Sequence, residues 1–145
     1  MGAIVAVSIG PVLCRYILIE ASRHPSYRTA TVKDSYAAFC DRALRTVHQV
    51  LAVERREIQL DAIGIAVAGE VVDDLVRATC CLQHLDGEPL EEDFFTEFGE
   101  IPTIVIGQTE AAELAKECDS QIIALRDDHL LAGAVISAKR LLAAK

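Results

Sequence analysis

Residues 6–20 read AVSIGPVLCRYILIE. Two runs rich in Val, Ile and Leu flank the pair Gly10-Pro11, and this arrangement predicts an antiparallel hairpin with strands over 3–9 and 12–21. Residues 63–72, IGIAVAGEVV, repeat the theme: an apolar strand run broken by Gly69, then a second short apolar run. In several ATP-handling folds, strands ending in small, tight turns present backbone N–H groups to phosphate. The two stretches therefore raise one question: whether the chain handles phosphate or keeps only the scaffold.

Working outward, YRTATVK (27–33) alternates as a third, more polar strand at a sheet edge. Asp34 or Ser35 then caps a helix running to about residue 53, with Tyr36, Cys40, Ala43, Leu44, Val47, Val50 and Leu51 on its apolar stripe. Residues 62–68 are almost continuously apolar, the pattern of a strand buried on both faces. Short strands are expected at 70–72 and 75–82, a turn at Asp86-Gly87, and a helix from Pro89 to Phe98 closed by Gly99. TIVIG (103–107) reads as another buried strand, Thr109 as the cap of a helix to about Cys118, and QIIAL (121–125) as a strand or extended link. Asp127-Asp128 caps a last helix with Leu131, Ala134, Val135, Ala138, Leu141 and Leu142 on one stripe. Three antiparallel strands followed by alternating helices and strands fit an α/β mixed sheet flanked by helices, as in the ribonuclease H-like fold.

The 145 residues suit one domain, 1–145, and the 52% apolar, 5% aromatic composition calls for a core of Val, Ile, Leu and Ala. No apolar run approaches the ~20 residues a bilayer requires, and MGAIVAVSIG has no basic n-region, so neither a membrane span nor a signal peptide is expected. A net charge of −8 argues against nucleic acid. Cys14, Cys40, Cys80, Cys81 and Cys118 lie in apolar contexts without a C-x-x-C pair, which points to reduced thiols in a cytoplasmic protein and to no metal. Cys80 and Cys81, as strand neighbours, should point to opposite faces.

Four stretches, in order, resemble the small lobe of the ROK sugar kinases and repressors of the actin/hexokinase-like ATPase superfamily. AVSIGPVLCRYILIE sits where that family has a strand–D-I-G-G-T–strand phosphate hairpin. DAIGIAVAGEVVDD (61–74) is similar to its G-I-G-V-P-G-P-V-D strand and turn. LDGEPLEEDFFTEFGEIPTIVIGQTEAAELAKE (85–117) matches the stretch from the sugar loop to the helix bearing E-N-D-A-N-A-A-A-L-A-E. LRDDHLLAGAVISAKRLL (125–142) resembles the last helix, L-G-D-D-A-G-L-I-G-A-A. In the family a large second lobe lies between the last two stretches. Here Cys118 and Leu125 are almost adjacent, so the resemblance implies that this lobe is absent, with its adenosine site, zinc cluster and sugar-binding His and Glu.

The same matching implies lost chemistry. Ser8 stands where the family's hairpin has its Asp, Pro11 replaces the second Gly, and Val12 replaces the Thr. Pro11 removes an N–H donor and Val12 removes a hydroxyl. Gln108 occupies the position of the catalytic Asp, with Gly107 for the preceding Asn, and a carboxamide cannot accept the proton of an attacking hydroxyl. Cys81 and Leu85 replace sugar contacts.

Other candidates have plain structural readings. His24, His48, His84 and His129 are scattered, and Glu91, Glu92 and Asp93 suit the positive end of a helix. Glu110 and Glu113 read as surface charges. A Cys–His nucleophilic pair has no local signature, although partners distant in sequence can meet in a fold.

The expectation is a catalytically inactive small lobe that works by binding, without catalytic residues, metal or cofactor. Ser8, Gly10, Gly69, Gln108 and Glu110 should share one end of the sheet as a vestigial cleft for a small polar ligand. The 103–107 strand and 62–68 should lie beside the first strand and parallel to it, and Gly133 and Ala134 should let the last helix approach the sheet closely. A homodimer or a protein replacing the missing lobe is the expected partner. The alternatives are half of a split sugar kinase, a small hydrolase reusing the cleft, and a scaffold homodimer.

Overall fold

The structure, a computed structural model, describes residues 2–20, 23–53, 58–77, 80–118 and 122–144, with residues 80 and 81 described by backbone alone. The hairpin forms as expected, from β1 (Ala3–Ile9) and β2 (Leu13–Ile19), paired antiparallel with Ser8 opposite Arg15. Its turn is fastened by the Gly10 N–H donating to the Leu13 carbonyl at 3.0 Å, while the Thr31 hydroxyl donates to the Gly10 carbonyl at 2.7 Å. β3 (Ser26–Ala30), shorter than its alternating run, pairs antiparallel with β2. The helix α1 (Tyr36–Val53) follows, and Ser35 rather than Asp34 caps it, its hydroxyl accepting the Ala38 N–H at 3.1 Å.

β4 (Leu60–Val67) lies parallel to β1, and β7 (Thr103–Ile106) lies parallel to β4. The five-stranded order is β3-β2-β1-β4-β7, so the 103–107 strand is parallel to β1 but one strand removed from it, a correction to the expected adjacency. The reason is topological: β1 already has β2 on one side and β4 on the other. β1 is buried along its whole length because both sheet faces are covered.

Between β4 and β7 the chain makes a two-stranded hairpin of β5 (Glu70–Val72) and β6 (Leu75–Arg77). Its turn residues Asp73 and Asp74 both have positive φ, 54° and 64°, the backbone of the tight turn whose twist matches a hairpin. The expected strand over 75–82 ends at Arg77; Cys80–Leu85 is a 3₁₀ helix, so Cys80 and Cys81 are not strand neighbours, and residues 78–79 lie outside the described residues. α2 (Leu90–Glu97) follows Pro89 and ends before Gly99, whose φ is 72°.

α3 (Gln108–Ala115) starts two residues earlier than expected, with Gly107 at its N-cap instead of Thr109. α4 (Ile123–Arg126) replaces the strand expected over 121–125, of which residue 121 is outside the described set. Asp128 caps α5 (His129–Ala143), its carboxylate accepting the Leu131 N–H at 2.9 Å.

The two sheet faces have different cores. On one, Tyr16, Phe39, Leu82, Leu85, Leu90 and Phe94 pack under α1 and α2. On the other, Ala6, Ala62, Ala66, Ala111, Ala134 and Ala138 let α3 and α5 sit close to the strands. A Cβ on Gly64 would lie 2.1 Å from the Ala134 carbonyl oxygen, so backbone meets backbone there. Gly133 plays a different part from the one expected, since a Cβ on it would meet Ala111 of α3, 2.5 Å away, rather than the sheet.

Candidate functional site

Because β1, β4 and β7 are parallel, their C-terminal ends share one end of the sheet. Ser8 is next to last in β1 and Gly10 follows that strand. Gly69 follows β4, and Gln108 and Glu110 lie in the first turn of α3 beyond β7. The structure joins some of these residues and separates others.

Gly69 and Gln108 meet directly: the Gln108 N–H donates to the Gly69 carbonyl at 2.7 Å, and the Ala68 N–H donates to the Ile9 carbonyl at 2.9 Å. Gly107 makes that approach possible, because a Cβ there would come within 2.8 Å of the Gly69 oxygen and of the Glu70 Cα. The Thr109 hydroxyl, not needed as a cap, donates to the Glu70 carboxylate at 2.8 Å. Glu110 is exposed and borders a different recess, alongside Asp73, Asp74 and Glu91 at the outer edge of β7. Within that recess the Glu91 carboxylate accepts the Val105 N–H at 3.1 Å, which occupies one free donor of the edge strand. Burial pushes the Glu91 carboxyl above its usual range, opposed by the Val105 N–H and reinforced by Asp74.

Ser8 belongs to another arrangement. Its hydroxyl, almost fully buried, donates to Asp128 Oδ2 at 3.2 Å. Arg15, directly opposite Ser8 on β2, donates to the same oxygen at 3.2 Å. The other oxygen, Oδ1, caps α5 through Leu131. One carboxylate with 14% of its side chain exposed thus takes a hydroxyl, a guanidinium and a helix N-terminus. Sequence reading treated Asp128 as a cap and overlooked Arg15. The available signal was a charged residue inside the apolar run LCRYILI, which requires an acidic partner from elsewhere in the chain.

These residues do not fit a magnesium nucleotide. The carboxylate that reaches the end of β1 is already engaged three ways, and at the hairpin tip Val12 is 71% exposed where a phosphate cradle needs donors. Among the described residues no group of three or more His, Cys, Asp and Glu side chains is placed to hold a metal. Cys14 and Cys40 are buried, and burial pushes both thiols up, opposite to what an attacking thiolate requires. His48 bonds to the Glu97 carboxylate at 2.8 Å on the surface. No described helix is long and apolar enough to cross a membrane.

No family model matches the sequence. No curated protein matches it either. Solved structures do match. A ROK hexokinase from Thermus thermophilus superposes with a TM-score of 0.66 at 15% identity over 79% of this chain and 38% of its own. A ROK family glucokinase from Streptomyces griseus, solved with glucose and AMPPNP, gives 0.62 at 21% identity over 79% and 36%. A ROK family transcriptional regulator, a homologue of the E. coli MLC protein, gives 0.66 at 16% identity over 79% and 30%. The matched part of this chain thus spans about a third of each of these proteins. At such identities the likeness is one of fold, and the fold is that of one lobe of the ROK kinases and repressors, the resemblance first read in the hairpin and the last helix.

Proposed function

We propose that this chain is a catalytically inactive small-lobe module that acts by binding, either as a homodimer or with a protein that takes the place of the large lobe. The observation that carries this reading is the closed arrangement of Ser8, Arg15 and Asp128 at the end of β1. Phosphoryl transfer depends on positioning and on charge placed beside the phosphates. Here the nearby carboxylate is neutralised by Arg15, and Gln108 offers an amide where a base is required. The Gly69 carbonyl and the Ser8 hydroxyl are likewise engaged internally, which favours a binding role on the outer surface over chemistry in the crevice.

The test is ADP release with ATP, magnesium and a panel of hexoses. No sugar-dependent release is expected, and Ser8→Asp with Gln108→Asp should create none. Release that requires both sugar and magnesium, and vanishes in Gln108→Ala, would overturn the reading. Light scattering should find a mass above that of one chain, or native cytosol should yield a bound partner; a monomer with no partner would end the association half of the proposal.

A second reading, half of a split sugar kinase, is favoured by the chain's coverage of only 30–38% of these three neighbours. It requires a separate chain that restores sugar-dependent ADP release on mixing, which the same assay detects.

A further inference from the structure

We propose that the free edge of β3 is a docking site for an extended segment of a partner protein in which apolar and acidic residues alternate. This rests on the binding-module reading above and names the surface and the chemistry of the partner.

Among the described residues β3 is the outermost strand, with β2 on one side and no strand on the other. The Thr31 N–H bonds to the Val12 carbonyl and the Leu18 N–H to the Pro25 carbonyl. Antiparallel pairing alternates every second residue, so Tyr27 and Thr29 direct their backbone groups toward β2. Ser26, Arg28 and Ala30 therefore direct theirs outward, where an added strand pairs.

The side chains along this edge differ between the two faces. Ser8, Arg15 and Arg28 form one row across β1, β2 and β3, because Ser8 lies opposite Arg15 and Arg15 opposite Arg28. Two like charges directly opposite each other destabilise a strand pair. Asp128 compensates Arg15, but Arg28 is exposed and has no hydrogen-bond or ion-pair partner among the described residues. The recess beside it, about 290 Å³, is bordered by Arg15, Ser26, Tyr27 and Arg28. An acidic side chain opposite Arg28 on an added strand completes the row with the missing charge.

On the opposite face the edge borders a groove of about 560 Å³ between β3 and α1, in which Tyr27, Val50 and Val53 give a largely apolar floor beside Thr29, Thr46 and Gln49, and Val53 is 60% exposed. An added strand sends successive side chains to alternate faces. Every second residue then enters the apolar groove while its neighbours face Arg28. A second copy is a poor occupant: a twofold pairing centred on β3 sets Arg28 against Arg28, the like-charge device by which natural edges avoid self-pairing.

The experiment is fluorescence anisotropy with the full chain and a short fluorescein-labelled peptide of alternating valine and glutamate. Saturable binding is expected, weakened about tenfold or more by Arg28→Glu. Binding should vanish for a peptide with lysine in place of glutamate. It should also vanish for one N-methylated on its glutamates, whose N–H groups face the Arg28 backbone, a control that leaves the protein unaltered. Absence of binding, or binding indifferent to either Arg28→Glu or N-methylation, would overturn the proposal. So would a dimer that Arg28→Glu dissociates, since it would assign the edge to a second copy. The ADP-release assay on the same samples separates the two claims: peptide failure without ADP release removes the edge site alone, whereas sugar-dependent release removes the inactive-module reading.

Discussion

The two faces of the sheet differ in what sets the distance to the helices that cover them. Under α1 and α2 the core consists of large side chains, Tyr16, Phe39, Leu82, Leu85, Leu90 and Phe94 among them, whose volume sets the spacing. Under α3 and α5 alanine is the commonest core residue, beside Ile, Leu and Val, and where α5 crosses Gly64 the spacing is set by backbone contact. The first face derives its stability from apolar area and is vulnerable to cavities. The second, at the crossing of Gly64 and Ala134, has little side chain to lose and is vulnerable to additions. A domain poor in aromatic residues can thus concentrate its few rings on one side and close the other by proximity.

Loss of a ring on the large-residue face should have the largest effect. Phe94→Ala, at a fully buried position, is expected to lower unfolding stability by about 3–5 kcal/mol in urea titration. A loss well below that would show that this face can collapse, and the contrast would weaken. On the small-residue face, adding one methyl group should cost about as much as removing several elsewhere. Gly64→Ala is expected to destabilise by about 3 kcal/mol, because the new Cβ meets a helix carbonyl that cannot turn aside. A near-neutral result would mean that α5 slides freely on the strands.

Asp128→Ala should be milder, about 1–2 kcal/mol from the lost cap, with a further loss from the stranded Arg15 and Ser8. Ser8→Ala should change stability less in the Asp128→Ala background than alone, and a double-mutant cycle measures that coupling. The smallest effect belongs to His84, which packs edge-on against Phe39 at 5.6 Å on the large-residue face. Burial lowers its pKa below 6.5, opposed by a hydrogen bond to the Val32 backbone and aided by Lys33. Its folded pKa being depressed, its stabilising contribution is present above pH 6.5 and declines as pH falls through the folded value. His84→Leu should remove that part of the decline in Tm on acidification; an unchanged profile would assign the pH dependence to other groups.

Elements with strong periodicity and clear punctuation were legible from sequence. The β1–β2 hairpin announced itself through Gly10-Pro11, and α5 through an acidic cap before a long apolar stripe. Residues 80–85 were not, because a short apolar run with cysteines suits a strand as well as a 3₁₀ turn, and only packing under α1 decides between them. The same ambiguity hid α4 in QIIAL. The helix start at Gly107 escaped because its reason is tertiary, the close approach of Gly69 and Glu70. At the candidate cleft, placement at the strand ends followed from topology, whereas the partnership of Arg15 and Asp128 spans residues far apart in the chain and has no local mark.

The contact between Gly64 and Ala134 also bears on the order in which the molecule can be assembled during synthesis. Every strand of the main sheet lies within residues 3–106, but the helix that seals one face spans 129–143. While the ribosome is still adding those residues, Ile4, Ala6, Ile17 and Ile19 have no cover on that side. The nascent sheet therefore passes through a stage with one finished face and one exposed apolar face, a state prone to capture by chaperones or by other nascent chains until α5 closes it.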